Sequence, residues 1–144
     1  MARDSFTKEQ EKRMVDAIKE AETHTSGEIQ IHLENHCKVE VLDRAARIFS
    51  ILKMHKTELR SGVLFYMAVK DHRFAILGDI GINKAVTEDF WEDIKSEMLV
   101  YFQKDDITEG LCVGIKMAGR QLSEHFPKHE GNINELPDEI SFGD

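Results

Sequence analysis

Acidic side chains occupy several positions of this sequence where strands or helices are predicted to end. Asp71 lies in a predicted turn between two strands, Asp105, Asp106 and Glu109 open a predicted helix, and Glu34 ends another strand. Carboxylates that lie close together repel one another unless a cation neutralises them, and carboxylate oxygens are preferred ligands of Ca²⁺ and Mg²⁺. If the fold brings these residues to one edge, they predict a divalent-cation site, with Ca²⁺ preferred and Mg²⁺ as the alternative.

The same residues also have ordinary structural explanations. Aspartate at a helix start caps the helix, and aspartate is common in turns. A catalytic interpretation would add a metal that polarises a phosphoryl oxygen, with His36 or His72 moving protons at the same edge. However, neither Cys37 nor Cys112 is followed by arginine at the spacing of a Cys-x₅-Arg loop, and no glycine-rich phosphate loop appears. No catalytic residue is therefore assigned.

Composition excludes several classes of function. The 144 residues fit one domain, and the net charge of −8 disfavours nucleic acid and anionic membranes as partners. No apolar stretch is long enough to span a bilayer, and no signal peptide is recognised. The two cysteines show no metal-ligand spacing and suit reduced thiols. We therefore expect a cytoplasmic monomer without a membrane span.

The first half of the chain predicts two helices around one strand. Thr7 to Gln10 form a capping box ahead of apolar residues at helical spacing. Residues 28–34 alternate strictly between polar and apolar side chains, which is typical of a strand with one apolar face. Residues 39–54 return to the helical period.

The second half predicts a hairpin followed by two helices. Residues 63–69 are apolar throughout, as in a central strand buried on both faces, and residues 73–77 follow after a tight turn. Residues 78–81 predict another turn, and helices are expected over residues 86–101 and from Asp105 onward.

These elements predict a three-layer α/β/α sandwich with a small mixed sheet. A strand–helix–strand unit forms a right-handed crossover with parallel strands, so the first two strands end at the same edge. The helix after the third strand has about 16 residues and spans roughly 24 Å, which returns the chain to that edge with Asp105 and Asp106. Open α/β sheets usually bind ligands at this edge.

Two further regions complete the predicted organisation. Residues 1–127 are expected to form the domain, and residues 128–144 an acidic, disordered tail. Asp79 lies between Gly78 and Gly81 at the opposite edge, where it is expected to organise a turn and pair with Arg60.

Several signatures in order resemble the TPM domain family over residues 7–127. They are Thr57-x-x-Arg60-Ser61-Gly62-Val63-Leu64, Asp71-His72-Arg73-Phe74, Gly78-Asp79-Ile80-Gly81-Ile82, residues 102–109, Gly110-Leu111 and Gly114-Ile115. The resemblance implies an α/β/α sandwich that binds metal, often calcium. One plant thylakoid member of the family is regarded as an acid phosphatase, and other members act in assembly or repair of membrane complexes.

The chain departs from the family at two points. Many members carry a signal peptide and a membrane anchor, and neither is recognised in this sequence. Many members also read Gly-Tyr-Gly-Leu-Glu where this chain reads Gly-Asp79-Ile-Gly81-Ile. The preferred hypothesis is therefore a non-enzymatic or regulatory Ca²⁺-binding domain. The alternatives are a metal-dependent phosphatase of low activity and a module for protein interaction or assembly.

Overall fold

The computed structural model describes residues 1–128, 136 and 138–144. Over these residues the chain forms a four-stranded sheet and five α-helices. The strands are β1 (Glu28–Glu34), β2 (Gly62–Ala68), β3 (Arg73–Gly78) and β4 (Ser141–Phe142). The helices are α1 (Lys8–Glu22), α2 (Val41–Ile51), α3 (Ile80–Ala85), α4 (Glu88–Phe102) and α5 (Ile107–His125).

The sheet is mixed, with strand order β3-β2-β1-β4. β1 pairs in parallel with β2, so that Ile31 lies opposite Phe65, and β2 pairs antiparallel with β3, so that Phe65 lies opposite Ile76. The predicted parallel pairing of the first two strands and the predicted hairpin are therefore confirmed. β1 and β2 end, and β3 begins, at one edge of the sheet, which we call the carboxyl rim.

One face of the sheet is covered by α1, α4 and α5. Alternate side chains of β1 and β2 point into this layer because successive residues of a strand face opposite sides. The buried residues of this layer include Ile29, Ile31, Leu33, Val63, Phe65 and Met67 from the sheet, with Met14, Ile18, Ile94, Met98, Leu111 and Ile115 from the helices. Gly119 lets α5 pack closely against α1, since a Cβ atom on Gly119 would lie 2.7 Å from the Cβ atom of Ala21.

The other face of the sheet is covered by α2. Leu64, Tyr66 and Ala68 of β2 point into this second layer, where they meet Ala45 and Phe49 of the helix. Helices on both faces of a mixed sheet make the three-layer α/β/α sandwich that the sequence predicts.

Side-chain caps fix the helix starts that position the rim. The capping box of α1 is present as predicted, with the Gln10 amide donating to Thr7 Oγ1 at 3.1 Å and the Thr7 amide to Gln10 Oε1 at 2.8 Å. At α5, Asp106 Oδ1 accepts the Glu109 amide at 3.1 Å. Asp106 therefore starts the last helix at the position that the sequence indicates.

The structure differs from the sequence-based expectation in two elements. Residues 80–85 form the short helix α3, capped by Asp79, where only a turn was expected. Ser141–Phe142 form β4 within the stretch predicted to be disordered, because Ile140 and Phe142 pack against the core while the backbone pairs with β1. Residues 129–135 and 137 of the predicted tail lie outside the described residues. No helix in the described ranges has the length and apolar character needed to cross a membrane.

Candidate functional site

Asp71 lies at the carboxyl rim, in the turn that joins β2 to β3. Its Oδ1 lies 2.8 Å from Nδ1 of His36, and its Oδ2 accepts the Cys37 amide at 2.6 Å. These two hydrogen bonds, the one from His36 foremost, lower the pKa of Asp71. Asp71 is therefore an ionised carboxylate at neutral pH that ties the segment after β1 to the hairpin.

The turn between α4 and α5 carries the second group of acidic residues. Asp105 adopts a left-handed backbone conformation with φ of 60°, and Asp106 caps α5. Glu109 forms an ion pair with Arg13 of α1. Glu109 therefore has a cationic partner from another helix that the local spacing of the sequence does not reveal.

An aromatic contact joins these two turns. The ring of Phe74, near the start of β3, packs edge-to-face on that of Phe102, at the end of α4, with 4.9 Å between centroids. The predicted ligands Asp71 and Asp105 each lie three residues from one of these rings. Nevertheless, the described residues contain no group of three or more His, Cys, Asp or Glu side chains arranged to hold a metal ion. The elements beside the two turns are therefore in contact, but the acidic side chains of the described residues form no such group.

Glu34 ends β1 but points into the layer under α2. Its carboxylate accepts hydrogen bonds at 2.9 Å from both Nε and Nη2 of Arg44, another from the Tyr66 hydroxyl, and it lies 3.0 Å from Nε2 of His32. Burial alone would raise the pKa of Glu34, but the bonds from Arg44, Tyr66 and His32 outweigh it and lower the pKa to about 2. Protein donors thus satisfy this buried anion.

His32 extends this network to the edge of the sheet. Burial lowers the pKa of His32, so the imidazole is neutral at pH 7. Because Glu34 is ionised, Nε2 of the ring donates to it, which leaves Nδ1 to accept the hydroxyl of Ser141 at 2.8 Å. This network was not expected from the sequence, because the strict alternation over residues 28–34 predicts one apolar face and does not indicate what covers the polar one. The signal in the sequence that could have indicated the network was Arg44, a basic residue in the helix that covers this face.

A cleft of about 690 Å³ opens beside this network at the carboxyl rim. Arg44 and Arg47 of α2 line it together with Lys38, and Asp43 and Asp144 contribute carboxylates. The cleft therefore carries charges of both signs, on a lining that is largely apolar in area.

The opposite edge carries the predicted Arg60–Asp79 pair. Nε and Nη2 of Arg60 donate to the two carboxylate oxygens of Asp79 at 2.7 and 2.8 Å, and Asp79 Oδ1 also accepts the Ile80 amide at 2.8 Å. The pairing is confirmed, and it anchors the start of α3. Both cysteines are free thiols, and burial raises the pKa of Cys112, as expected for an unreactive thiol.

Comparison with known sequences decides the family. The sequence profile of the TPM domain matches residues 2–121. The chain belongs to the TPM domain family. The family resemblance predicted from the sequence is thereby confirmed. No curated protein sequence matches the chain.

Two solved structures share the fold of this TPM domain. The NMR structure of the BA42 protein from the psychrophilic bacterium Bizionia argentinensis has a TM-score of 0.91 and 46% sequence identity, covering 96% of this chain and 95% of that one. The solution NMR structure of the N-terminal domain of the cg2496 protein from Corynebacterium glutamicum has a TM-score of 0.66 and 8% identity, covering 81% of this chain and 74% of that one. The second likeness concerns the fold alone.

Proposed function

We propose that this TPM domain binds a divalent cation, with Ca²⁺ preferred, at the carboxyl rim between the β2–β3 turn and the α4–α5 turn. The contact between Phe74 and Phe102 supports the proposal, because it packs the start of β3, three residues after Asp71, against the end of α4, three residues before Asp105. Carboxylates from two loops at the end of an α/β sheet are a suitable donor set for a hard cation.

The local chemistry of the turns is compatible with a cation. Asp71 is ionised, and Asp106 commits only its Oδ1 to the helix cap. Each turn also contains a non-glycine residue in the left-handed region, His72 with φ of 53° and Asp105 with φ of 60°. Such backbone strain is concentrated at ligand sites in proteins.

The same geometry limits the strength of binding. Since Glu109 pairs with Arg13 and Glu34 with Arg44, these two predicted ligands are held by cationic side chains. The remaining oxygens of a Ca²⁺ shell would have to come from main-chain carbonyls and water, which are weaker ligands than carboxylates. We therefore expect modest affinity and a site that orders when the ion binds.

Calorimetric titration with Ca²⁺ tests the proposal. We expect one ion per chain and a loss of affinity of about tenfold or more in Asp71→Asn or Asp106→Asn, because each change removes a charged ligand. Asp89→Asn is the matched control, since Asp89 is an exposed carboxylate in the first turn of α4. A wild-type protein that binds no Ca²⁺ at millimolar concentration would refute the proposal, as would two rim variants that bind like wild type.

The same variants separate a non-enzymatic role from the phosphatase alternative. Hydrolysis of a generic aryl phosphate by the wild type, lost in Asp71→Asn and retained in Asp89→Asn, would support catalysis at the rim. Ca²⁺ binding without hydrolysis is the result expected for the non-enzymatic domain proposed here.

A further inference from the structure

β3 lies at one edge of the sheet, and no other strand of the described residues pairs with its outer side. The Asp79 amide, just beyond the end of β3, donates to the Gly62 carbonyl at 2.9 Å, in the register of the antiparallel ladder. Hydrogen-bonded pairs alternate along such a ladder, so residues 73, 75 and 77 also direct their main-chain groups to β2. Phe74, Ile76 and Gly78 therefore direct theirs outward, away from the sheet.

Only part of this outer edge is capped. The Gly78 carbonyl accepts Nδ2 of Asn83 at 2.9 Å, and Asn83 is in turn held by the indole N–H of Trp91 at 3.2 Å. No hydrogen bond between described residues engages the main-chain groups of Phe74 or Ile76. An open row of amides and carbonyls at a sheet edge is a template for an added strand.

α4 runs beside β3 and forms a wall next to this edge. At one end, a Cβ atom on Gly78 would lie 2.6 Å from Cζ2 of Trp91, and at the other end the ring of Phe102 packs on that of Phe74. A cavity of about 330 Å³ is lined by residues of both elements, with Ile76 and Trp91 among them. The cavity leaves room for side chains of a strand added to β3.

The charged residues that line this cavity favour a basic occupant. Glu88 and Glu92 lie one helical turn apart on α4, and both are exposed. Lys95, the one cationic residue of the lining, lies 3.6 Å from Glu92, which leaves an excess of negative charge. The Trp91 ring adds an aromatic surface of the kind that attracts cations. A second copy of the chain would instead bring another acidic wall to the same edge, and like charges disfavour that pairing.

We propose that the outer edge of β3 binds an extended basic peptide segment of a partner protein, which pairs antiparallel with Phe74 and Ile76. Residues opposite each other on antiparallel strands share a face, so alternate Lys or Arg side chains of the peptide lie over the cavity beside Glu88 and Glu92. The intervening side chains lie on the α2 side beside Leu77, where β-branched residues are favoured. The proposal does not depend on cation binding at the carboxyl rim.

NMR titration of the full chain with the capped heptapeptide Thr-Lys-Val-Lys-Val-Lys-Thr tests the proposal. We expect the amides of Phe74 and Ile76 and the indole N–H of Trp91 to shift together. When the peptide occupies about 90% of the chains, hydrogen exchange of the outward Ile76 amide should slow about tenfold, because only the free tenth exchanges. Exchange of the Ala75 amide, which faces β2, should not change.

Two controls separate the main-chain contribution from the charge contribution. The same peptide with N-methyl groups on its three lysines keeps its charge but loses the amides that face β3, so it should bind at least tenfold more weakly. The double variant Glu88→Gln and Glu92→Gln should bind the unmodified peptide about three- to tenfold more weakly at low salt, since each exposed ion pair contributes modestly. Glu97→Gln, an exposed change on α4 outside the cavity lining, should bind like wild type.

Four results would overturn the proposal. The first is an absence of shifts at millimolar peptide, and the second is equal binding of the N-methylated peptide, which would show that the β3 edge is not used. The third is equal binding of a peptide with glutamate in place of lysine, which would show that the cavity does not select basic segments. The fourth is protection of the Ile76 amide that rises with protein concentration in the absence of peptide, which would assign the edge to a second copy of the chain.

Discussion

Replacing Tyr66 by phenylalanine tests the account of the buried network under α2. The Tyr66 side chain is 1% exposed, and its hydroxyl donates to the Glu34 carboxylate, which Arg44 also binds. Phenylalanine keeps the ring and leaves no large cavity, so the change removes little besides one hydrogen bond to a charged group. Such a bond contributes about 1.5–3 kcal/mol, and we expect Tyr66→Phe to lower the free energy of unfolding at pH 7 by about 2 kcal/mol.

The loss should depend on pH in a defined direction. Glu34, with a pKa of about 2 in the fold, contributes stability above its ordinary pKa of 4.5, and this contribution is lost as pH falls toward 2. Without the Tyr66 donor, the folded-state pKa of Glu34 should rise by about one unit, which corresponds to about 1.4 kcal/mol. The difference between wild type and variant should therefore shrink as the pH is lowered from 4.5 to 2.

Urea unfolding at several pH values measures both the loss of stability at pH 7 and its dependence on pH. The free energy of unfolding should depend on urea concentration with the same slope in both proteins, which shows that they expose the same amount of surface on unfolding. Tyr101→Phe is the control, because it makes the same chemical change at a half-buried position of α4. If Tyr66→Phe lowers the free energy of unfolding by less than about 0.5 kcal/mol at pH 7, the Tyr66 hydroxyl does not donate to the buried Glu34 carboxylate as described. A loss that stays constant down to pH 2 would show that Glu34 is not the acceptor.

Two further substitutions test packing and capping. Asp79→Ala should lower the free energy of unfolding by about 1 kcal/mol or more, because α3 loses its capping residue and Arg60 loses its ion-pair partner. An unchanged melting temperature in thermal unfolding would show that Asp79 does not anchor the start of α3. Gly119→Ala should destabilise by about 1–3 kcal/mol through overpacking against Ala21, which outweighs the gain of up to about 1 kcal/mol in helix propensity. Addition of Ala21→Gly should recover part of that loss, and a Gly119→Ala variant as stable as wild type would disprove the close approach.

Local signals were sufficient for most of the fold. The capping box at Thr7 and the apolar run from Val63 predicted elements that the structure contains, because each signal reflects an interaction within one element or burial on both faces. α3 escaped prediction because it has only six residues and contains Gly81, which sits against the backbone of residues 59–60. β4 escaped because two residues carry no readable alternation, and its partner lies about a hundred positions away.

The candidate site was less accessible to sequence reasoning. Acidic residues at element ends were visible, but their cationic partners were not. Arg13 reaches Glu109 from a helix 96 residues earlier in the chain, and Arg44 reaches Glu34 from the helix above the sheet. Whether a carboxylate is available to a metal depends on such distant partners, and these follow from packing rather than from spacing.

Amide chemical shifts during a Ca²⁺ titration test the central claim most directly. We expect residues 70–73 and 103–109 to shift together and to saturate with one common dissociation constant, along with the ring signals of His36, which hydrogen-bonds Asp71. Shifts confined to one of the two turns, or to residues 138–144, would contradict a cation site shared between them.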